Sequence, residues 1–374
     1  MAFIIGFFIL VYVVLICYLC LGFSRLSIFT TEKSLPKTTF SICIAFRNES
    51  ENLPALLKSL KALNYPKDLF EIVMINDHST DNSVEIIADF CLKNPDFELK
   101  TRIFSQKTAS AGGKKTALNL AIQHSKNEFI VTTDADCVVP KTWLSNLNAF
   151  ILLNQKTFIA GPVAFLKTST SFLNTFQQLD FLSLQGATMG AFGIKKPFLC
   201  NGANLAFAKA EFFRLNAYEG NREIASGDDI FLMQKFLKDN PKNVGYLKAK
   251  SSIILTQPQH SWKQLINQRK RWAAKASKYQ SLTASLISWA VLLANLAAIL
   301  AIFYLKTSIF LIWILILKIV IDFILIAKTG QFFSKNSHLL AYLGSFWIYP
   351  LFTVYIAISS QLQPFIWKER KLKK

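Results

Sequence analysis

An uncharged apolar run near the N-terminus, residues 2–23, constrains the fold more than any other feature of the chain. About 20 such residues span a bilayer as a helix. A signal peptide begins with Lys or Arg and ends with small residues, whereas this run ends Leu-Cys-Leu-Gly-Phe. We therefore expect an uncleaved transmembrane anchor at residues 1–24. Arg25, Lys33 and Lys37 follow it, so the positive-inside rule places the N-terminus outside and the next segment in the cytosol.

Three further apolar runs lie near the C-terminus. They cover residues 286–305, 309–327 and 339–358. The middle run carries Lys318 and Asp322, which are four residues apart and therefore share one helix face. We expect these two residues to form a buried structural pair rather than part of a transport pathway.

The last apolar run and the tail that follows it favour different topologies. Gly344 and Pro350 interrupt the run, which allows it to turn back or to lie along the interface. Residues 367–374 are among the most basic of the chain, and short basic flanks stay in the cytosol. We predict a cytosolic C-terminus, with the run at 339–358 failing to cross fully. Three crossings with an external tail remain the alternative.

The composition is both basic and apolar. Lys and Arg number 42 against 23 Asp and Glu, so the formal net charge is +19, and 52% of residues are hydrophobic. This apolar content excludes a disordered chain and argues against nucleic acid as a partner. The positive charge suits the anionic inner leaflet and an anionic substrate such as a nucleotide diphosphate. The six cysteines are scattered, which predicts reduced thiols in the core.

Between the flanking apolar runs, short apolar strands alternate with helical stretches, which indicates an α/β domain with a parallel sheet. We predict strands at 39–46, 70–75, 99–104 and 128–133, and helices at 53–63, 83–92 and 115–124. The second half is less regular. There we predict a helix at 169–192, strands at 198–208 and 251–256, a helix at 230–238, and a basic amphipathic helix at 262–278.

Polar residues follow three of the predicted strands. They are Arg47-Asn48-Glu49, Asn76-Asp77, and Asp134 with Asp136. In parallel sheets ligands gather at the carboxyl ends of the strands. The coincidence of the three ends is therefore stronger evidence for a site than any one motif.

Asp134 and Asp136 are hard oxygen ligands that suit Mg²⁺ or Mn²⁺, although most isolated D-x-D sequences are surface turns or helix caps. Asp77 stands at a strand end, where a carboxylate can accept from a base N–H or a ribose hydroxyl. Asp81 and Ser83, a few residues on, suit helix capping instead.

Three further motifs each have a structural and a functional interpretation. Gly112-Gly113-Lys114 lacks the spacing of a P-loop, but it lets backbone N–H groups and a lysine approach an anion. Asp228-Asp229 is either a general base or the acidic start of a helix, and taken alone it favours the helix start. Gln268-Arg269-Lys270-Arg271-Trp272 either grips a diphosphate and stacks on a sugar, or forms a juxtamembrane basic helix.

In this order, the motifs resemble family 2 glycosyltransferases of the GT-A fold, and in particular the membrane-bound branch that includes cellulose, chitin and hyaluronan synthases and ceramide glucosyltransferase. That branch is marked by an Asp, a D-x-D, an E-D or D-D pair and Q-x-x-R-W. Asp77, Asp134 with Asp136, Asp228 with Asp229, and Gln268 with Arg271 and Trp272 match this pattern. The resemblance covers residues 38–272 and the flanking apolar runs.

The resemblance implies roles for these residues. Ala45, Arg47, Glu49 and Asp77 would hold the nucleoside, and Lys114 would lie near the uridine or the diphosphate. Asp134 and Asp136 would bind the nucleotide and the metal. Asp229 would be the base, with Asp228 in place of the more usual Glu. Gln268 would belong to the substrate site, Arg271 would hold the diphosphate, and Trp272 would border the acceptor.

These observations lead to one expected function. It is inverting transfer of a sugar from a nucleotide diphosphate sugar, expected to be a UDP-sugar such as UDP-GlcNAc or UDP-Glc, to a lipid-linked or polysaccharide acceptor. The enzyme would be a multi-pass protein of the inner membrane with a cytosolic catalytic domain. We expect the anchor at 1–24, the GT-A domain at 36–258, an amphipathic interface segment at 259–283, and a membrane region with a basic tail at 284–374. A transporter, or an inactive scaffold that senses nucleotides, is the alternative.

Overall fold

The chain folds into two compact units. The sheet unit comprises Ile28–Leu166 and Cys200–Gln257, and the helical unit comprises Met1–Ser27, Lys167–Leu199 and Pro258–Lys374. The computed structural model describes residues 1–30, 34–98, 100–106, 113–166, 171–219, 228–274, 281–306, 308–335, 342–362, 365–367 and 370–372.

Most strands belong to the sheet unit. The strands are β1 (Phe40–Phe46), β2 (Phe70–Asn76), β3 (Thr101–Ser105), β4 (Phe129–Thr132), β5 (Cys137–Val138), β6 (Phe158–Ala160), β7 (Val163–Phe165), β8 (Leu205–Ala208), β9 (Val244–Tyr246), β10 (Ile254–Thr256), β11 (Phe365–Trp367) and β12 (Arg370–Leu372). The last two form a separate antiparallel hairpin in the helical unit.

The helices are divided between the units. Those of the sheet unit are α2 (Leu53–Lys61), α3 (Ser83–Leu92), α4 (Pro95–Glu98), α5 (Lys114–His124), α6 (Trp143–Asn154), α8 (Lys209–Arg214) and α9 (Asp228–Asp239). Those of the helical unit are α1 (Ala2–Arg25), α7 (Phe172–Gly193), α10 (Trp262–Ala273), α11 (Leu282–Ile302), α12 (Ile309–Phe333) and α13 (Tyr342–Leu362).

The first half of the large sheet is parallel, as the alternation of strands and helices predicts. Its seven strands follow the order β3-β2-β1-β4-β8-β6-β9, and β3, β2, β1 and β4 run in one direction. Six of the seven residues of β1 are buried, which is typical of a parallel strand covered on both faces. The carboxyl ends of β2, β1 and β4 therefore meet at one edge of the sheet.

The second half of the sheet departs from the prediction. The strand predicted at 198–208 is wrong for its first part, because Gly202–Asn204 form a 3-10 turn and only Leu205–Ala208 form β8. The side chain of Asn201 accepts from the backbone N–H of Ala203, and such local bonds compete with strand pairing. Moreover, β8 runs antiparallel to both β4 and β6, so the sheet is mixed.

A second, three-stranded sheet lies within the same unit. β10 is its central strand, antiparallel to β5 and parallel to β7. The strand predicted at 251–256 is shorter than expected, because Lys250–Ser252 form a 3-10 turn and only Ile254–Thr256 are extended. The pairing places Thr256 opposite Cys137, one residue after Asp136. This sheet therefore brings a late segment of the chain to the D-x-D sequence.

The helical unit packs around α1. Residues from α1, α11 and α12 share one apolar core, in which Ile9 and Leu19 are fully buried. Helix α7 contacts α1 through glycines: a Cβ at Gly190 would lie 2.4 Å from the carbonyl oxygen of Leu19, and one at Gly193 would lie 1.9 Å from that of Gly22. Only residues without side chains permit this approach of two helix backbones.

Three helices in the described part of the chain are long and apolar enough to cross a membrane: Ala2–Arg25, Leu282–Ile302 and Ile309–Phe333. The first agrees with the predicted anchor, and the other two agree with the runs at 286–305 and 309–327. From Tyr342 onward, the part that the structure describes, the run at 339–358 does not turn back, because α13 continues through Pro350 as one helix. Its position relative to a membrane remains a prediction.

Lys318 and Asp322, the two charged residues in the middle of the apolar helix α12, pair with each other and with Tyr12 of α1. Nζ of Lys318 donates to Asp322 at 2.9 Å, and the hydroxyl of Tyr12 donates to the same carboxylate at 2.7 Å. The ammonium also lies 4.8 Å from the centroid of the Tyr12 ring. Mutual pairing of buried charges agrees with the structural interpretation of these residues.

All six cysteines are free thiols, but the prediction that they lie in the core is wrong for Cys17, which is exposed, and Cys200 is only partly buried. Burial raises the pKa of the Cys43 thiol to about 12, although the hydroxyl of Ser125 opposes the shift. Burial also raises the pKa of Cys91. Thiols with raised pKa values are poor nucleophiles at neutral pH, so these residues act as core side chains.

Candidate active site

Asp77 is held where β2 ends. Its backbone N–H donates to the carbonyl of Phe46 at 2.9 Å, which extends the pairing of β1 with β2. Nη1 of Arg47 donates to the backbone carbonyl of Asp77 at 3.0 Å. The carboxylate is buried, and its Oδ1 lies 3.2 Å from Nδ1 of His78. These contacts hold the Asp77 carboxylate at the carboxyl edge of the sheet.

The loops after β1 and β2 are joined by side-chain hydrogen bonds. Asp81 accepts from the backbone N–H of Ser50 at 3.0 Å, and the hydroxyl of Ser83 accepts from the N–H of Glu49 at 2.9 Å. Asp81 also accepts from the N–H of Ser83, the first residue of α3, at 3.1 Å. The N-cap position itself is Asn82, so neither Asp81 nor Ser83 is the cap residue that the sequence predicted. The loop after β1 and the loop after β2 are therefore held together beside Asp77.

Ala45 lies near the end of β1, and Glu49 lies in the loop that follows it. Ala45 pairs in register with Ile75 and is only half-buried, so its small side chain leaves space near the strand end. Glu49 accepts from Nδ2 of Asn52 at 2.7 Å. The negative charge of Glu49 also acts on Asp136.

Lys114 and Asp134 form an ion pair at the start of α5. Each side chain is about one third exposed, and Nζ of Lys114 donates directly to Oδ1 of Asp134. Gly113 precedes the helix, whereas Gly112 lies outside the described residues. The helix start and the ammonium together make this corner of the sheet attractive to an anion.

Asp136 is a buried carboxylate with a raised pKa. Burial raises its pKa to about 6, with further increases from the charges of Asp134 and Glu49, while Lys114 opposes the shift. The hydroxyl of Thr256 donates to Oδ2 of Asp136 at 3.3 Å. A cation that binds between carboxylates of like charge relieves their mutual repulsion.

Asp229 is tied to the end of β4 through Gly202. Oδ2 of Asp229 accepts from the backbone N–H of Gly202 at 3.1 Å, and Oδ1 accepts from the N–H of Ile230 at 2.9 Å. The carbonyl of Gly202 in turn accepts from the hydroxyl of Thr132 at 2.7 Å. Thr132 is two residues before Asp134, so this short relay connects the start of α9 with the D-x-D segment.

The turn that carries Gly202 is fixed by the buried side chain of Asn204. Its Nδ2 donates to the carbonyls of Pro162 and Ser252 at 2.9 and 3.0 Å. Its Oδ1 accepts from Nε1 of Trp143 at 3.0 Å. A Cβ at Gly161 would lie 2.5 Å from the Asn204 amide, so the strand end must be glycine there. A buried and fully bonded amide of this kind specifies one geometry for the turn.

The site can be tested for a divalent cation. Among the described residues there is no cluster of three or more His, Cys, Asp or Glu side chains suited to a metal. Asp134 and Asp136 nevertheless offer carboxylate oxygens, and Mg²⁺ characteristically binds through one or two carboxylates plus substrate phosphates. The raised pKa of Asp136 fits a site that gains from positive charge. The residues therefore fit a Mg²⁺ or Mn²⁺ ion whose coordination a diphosphate completes.

The remaining predicted residues lie in the helical unit. Gln268, Arg271 and Trp272 are on α10. Oε1 of Gln268 accepts from Nη1 of Arg269, and Cζ of Arg269 lies 4.2 Å from the centroid of the Trp272 ring. The sheet unit thus brings together Ala45, Arg47, Glu49, Asp77, Lys114, Asp134, Asp136 and Asp229. The side chain of Asp228 lies outside the described part.

Several supporting residues were missed at the sequence level. Gly202 belongs to the sequence Asn201-Gly202-Ala203-Asn204, which stood out within a predicted strand. Asp180, a lone acid in an apolar helix, pairs with Arg269 and could have been found by that isolation. Thr256 had no signal, because its contact with Asp136 joins residues 120 positions apart.

The fold and the site define a class of protein. A mixed sheet with Asp77 after its second strand and a D-x-D sequence after its fourth agrees with the GT-A fold that the sequence resemblance implies. Two family models match the chain: glycosyl transferase family 2 over residues 41–210 and glycosyl transferase family group 2 over residues 129–367. The second covers more than half of the chain, and the chain therefore belongs to the family 2 glycosyltransferases.

Individual relatives agree with this assignment. The chain is 25% identical over 247 residues to the probable glycosyltransferase YdaM of Bacillus subtilis, covering 64% of this chain and 55% of YdaM. It is 32% identical over 146 residues to a poly-beta-1,6-N-acetyl-D-glucosamine synthase of Staphylococcus epidermidis, covering 39% of this chain and 33% of the synthase. The matches thus span about half or less of these relatives.

A solved structure shows the same fold. The mannosyltransferase PcManGT from Pyrobaculum calidifontis, in complex with GDP-Man and Mn²⁺, aligns over 93% of this chain and 99% of that chain. The TM-score is 0.59 and the sequence identity 15%. The GT-A fold expected from the sequence is thereby confirmed.

Proposed function

We propose that the chain transfers a sugar from a nucleotide diphosphate sugar to an acceptor hydroxyl. The observation that carries the proposal is the gathering of carboxylates at one edge of the sheet. Asp77 follows β2, Asp134 and Asp136 follow β4, and Asp229 is joined to β4 through Gly202. One carboxylate can take the proton that the acceptor hydroxyl must lose. Others can bind a cation that stabilises the anionic leaving group of the donor.

The donor would lie across the ends of β2 and β1. Asp77 is suited to accept from the base or the ribose, with Ala45, Arg47 and Glu49 forming the rest of the nucleoside site. Lys114 and the N-terminus of α5 would face the diphosphate, since both favour negative charge. Asp134 would share the Lys114 ammonium with the incoming phosphates.

The reaction would be one in-line displacement with inversion. The acceptor oxygen forms a bond to the anomeric carbon, and the bond from that carbon to the diphosphate oxygen breaks with its electron pair. Asp229 takes the acceptor proton as general base. Among the described residues two N–H groups donate to Asp229, one to each oxygen, whereas a carboxylate has about four acceptor positions. Asp228, the preceding residue, is assigned to the acceptor side of the site.

Asp134 and Asp136 would hold Mg²⁺ or Mn²⁺ together with the donor phosphates. When bound, the ion supplies Lewis-acid stabilisation of the negative charge that develops on the departing diphosphate. On the protein side, the hydroxyl of Thr256 holds Asp136 by a hydrogen bond. The negative charges of Asp134 and Glu49 raise the pKa of Asp136, and a cation would relieve this repulsion. Roles for Gln268, Arg271 and Trp272 in diphosphate and acceptor binding are part of the same proposal.

The finer assignments concern donor, acceptor and location. A UDP-sugar, such as UDP-GlcNAc or UDP-Glc, is the proposed donor, supported by the staphylococcal relative named for a polymer of N-acetylglucosamine. A lipid-linked or polysaccharide acceptor is supported by three helices long enough to cross a membrane. We place the catalytic domain on the cytosolic side of the inner membrane. Arg25, Lys33 and Lys37 follow the first apolar helix, and basic residues that flank a membrane helix stay in the cytosol.

A donor screen tests the proposal. Purified protein is incubated with UDP-, GDP- and dTDP-sugars and with Mg²⁺ or Mn²⁺, and release of nucleoside diphosphate is measured. One nucleotide class should be cleaved in a metal-dependent manner, and excess EDTA should stop the release. Binding of none of these nucleotides by folded protein would refute the proposed activity.

A further inference from the structure

Helix α7 is a platform for α10, the helix that carries Gln268, Arg271 and Trp272. The side-chain amide of Gln177 pairs with the backbone of Gln259 in both directions, donating to its carbonyl at 3.0 Å and accepting from its N–H at 2.9 Å. The ring of Phe176 lies 5.2 Å from that of Trp262, at the first residue of α10. The start of α10 is therefore docked on α7 by an uncharged amide and an aromatic contact.

One turn further along α7, a buried ion pair joins the same two helices. Oδ2 of Asp180 accepts from Nε of Arg269 at 2.6 Å. The side chains are only 6% and 5% exposed. The guanidinium Nη2 is buried without a hydrogen-bond partner among the described residues. Burying both charges is costly, and an unsatisfied donor adds to that cost.

The guanidinium of Arg269 contacts two residues of the Q-x-x-R-W motif. Its Nη1 donates to Oε1 of Gln268, and its Cζ lies 4.2 Å from the centroid of the Trp272 ring. The ring of Phe181, the residue after Asp180, lies 6.3 Å from the ring of Trp272. Asp180 thus orients the guanidinium of Arg269, which in turn contacts the amide of Gln268 and the indole of Trp272.

We propose that Asp180 and Arg269 are positioning residues for the Q-x-x-R-W motif. The inference rests on the proposed sugar transfer and adds to it. Buried ion pairs contribute little net stability, and α10 is already docked by Gln177 and Phe176. The consequence specific to this pair is the orientation of its neighbours. Because Oε1 of Gln268 accepts from Arg269, the side-chain amide is held in one of its two orientations, with its NH₂ as the group that would donate to a substrate, and the guanidinium packs on the ring of Trp272.

The orientation matters because acceptor binding depends on both groups. An indole stacks on a sugar through its flat face, and an amide turned by half a rotation presents an acceptor where a donor is needed. Loss of the pair should therefore lower transfer to the acceptor without weakening the donor site of the sheet unit. A purely structural pair would instead change the amount of folded protein and leave turnover per folded molecule unchanged.

The test replaces both charges together, so that no buried charge is left unpaired. Asp180→Leu/Arg269→Met is purified in detergent and compared with wild type, using the nucleotide sugar found by the donor screen. Diacylglycerol vesicles and short β-1,6-linked N-acetylglucosamine oligosaccharides serve as acceptor probes. We expect the donor KM to stay within about twofold, while the ratio of transfer to donor hydrolysis falls at least tenfold.

Two further variants complete the design. Arg269→Lys keeps the charge pair but loses the second hydrogen bond and the planar stacking, and its transfer ratio should fall at least fivefold in folded protein. Lys318→Met/Asp322→Leu with Tyr12→Phe removes a buried pair of the same unit that does not touch the motif, and its ratio should match wild type.

The outcomes separate the two proposals. Wild-type protein that binds and cleaves no nucleotide sugar would refute the proposed function itself. Active wild type, with an unchanged transfer ratio in the Asp180→Leu/Arg269→Met variant, would overturn only the positioning role. If that variant fails to fold, an unchanged ratio in Arg269→Lys overturns the role equally.

Discussion

The carboxylate of Asp229 accepts hydrogen bonds from two backbone N–H groups, so it has a structural role besides its proposed role as the base. Its oxygens accept from the N–H groups of Gly202 and Ile230. An asparagine has one acceptor oxygen and one NH₂, so one of these donors loses its partner. A substitution that removes the base therefore also disturbs the turn, and the two effects must be measured separately.

Asp229→Asn should keep nucleotide binding and lose turnover by on the order of 10²-fold or more, as expected for loss of a positioned base. Stability should fall by about 1–3 kcal/mol from the unpaired N–H. Turnover and thermal unfolding are measured in parallel. Thr132→Val disturbs the same turn without removing the carboxylate, and Asp239→Asn removes an exposed acid of the same helix. Turnover of Asp229→Asn within a few-fold of these controls would remove it from the base role.

Asp136→Ala should weaken metal-dependent nucleotide binding at least tenfold. The residue is one of two carboxylates available to the ion, and hard oxygen ligands favour Mg²⁺ or Mn²⁺ over zinc. Nucleotide affinity is measured by calorimetry over a range of Mn²⁺ concentrations. Thr256→Val removes a 3.3 Å hydrogen bond to this carboxylate but leaves the carboxylate itself, and it should have a smaller effect. Equal affinity with and without the metal in wild type would argue against a metal role for Asp136.

At the scale of elements, α7 is held by backbone contacts that exclude side chains. A Cβ at Gly190 would lie 2.4 Å from the carbonyl oxygen of Leu19. Gly190→Leu should therefore force α7 from α1 and lower stability by about 1–3 kcal/mol or more, as in other overpacked sites. Thermal unfolding in detergent measures this change.

Gly344→Leu is the matched control, because a Cβ at Gly344 meets nothing within 4 Å. Replacing a helical glycine in open space should leave stability unchanged or raise it by up to about 1 kcal/mol. Equal unfolding temperatures for Gly190→Leu and Gly344→Leu would show that the approach of α1 and α7 is unimportant for stability.

The local elements were predictable because their signals are local. β1, predicted at 39–46, is Phe40–Phe46, since a short segment rich in isoleucine and phenylalanine favours a strand. α6 was missed, because its buried residues include Asn146 and Asn148, which break the apolar period. Asn146 donates to Ser252, and Asn148 accepts from the backbone of Thr38. Those partners are known only once the chain is folded.

The candidate site was predictable residue by residue but not as an assembly. Asp77, Asp134 and Asp136 follow apolar strands, so their common edge could be inferred from the rule for parallel sheets. Asp229 is connected to Thr132 through Gly202, which precedes β8, and this connection depends on the antiparallel pairing of β8 with β4. No local sequence pattern predicts that pairing. The misjudged strand at 198–208 concealed the turn on which the connection depends.

At the scale of the whole molecule, the topology of the C-terminus is a prediction of its own. α13 has 21 residues, about 31 Å of helix, so length alone does not decide whether it crosses. The basic tail after it favours the cytosolic side. Fusions of the C-terminus to paired reporters, one active only in the cytosol and one only outside, should give the cytosolic signal. A signal from the outside reporter alone would show that α13 crosses.

The central claim is direct displacement at the anomeric carbon by a base-activated oxygen, and the stereochemistry of the first product tests it most directly. An α-linked nucleotide sugar accepted in the donor screen is hydrolysed by wild-type protein with Mg²⁺ or Mn²⁺, and the anomer released first is followed by proton NMR. A single in-line displacement predicts that the β-anomer appears first and later equilibrates. Initial release of the α-anomer would contradict the account, because it requires retention and therefore a different set of catalytic roles.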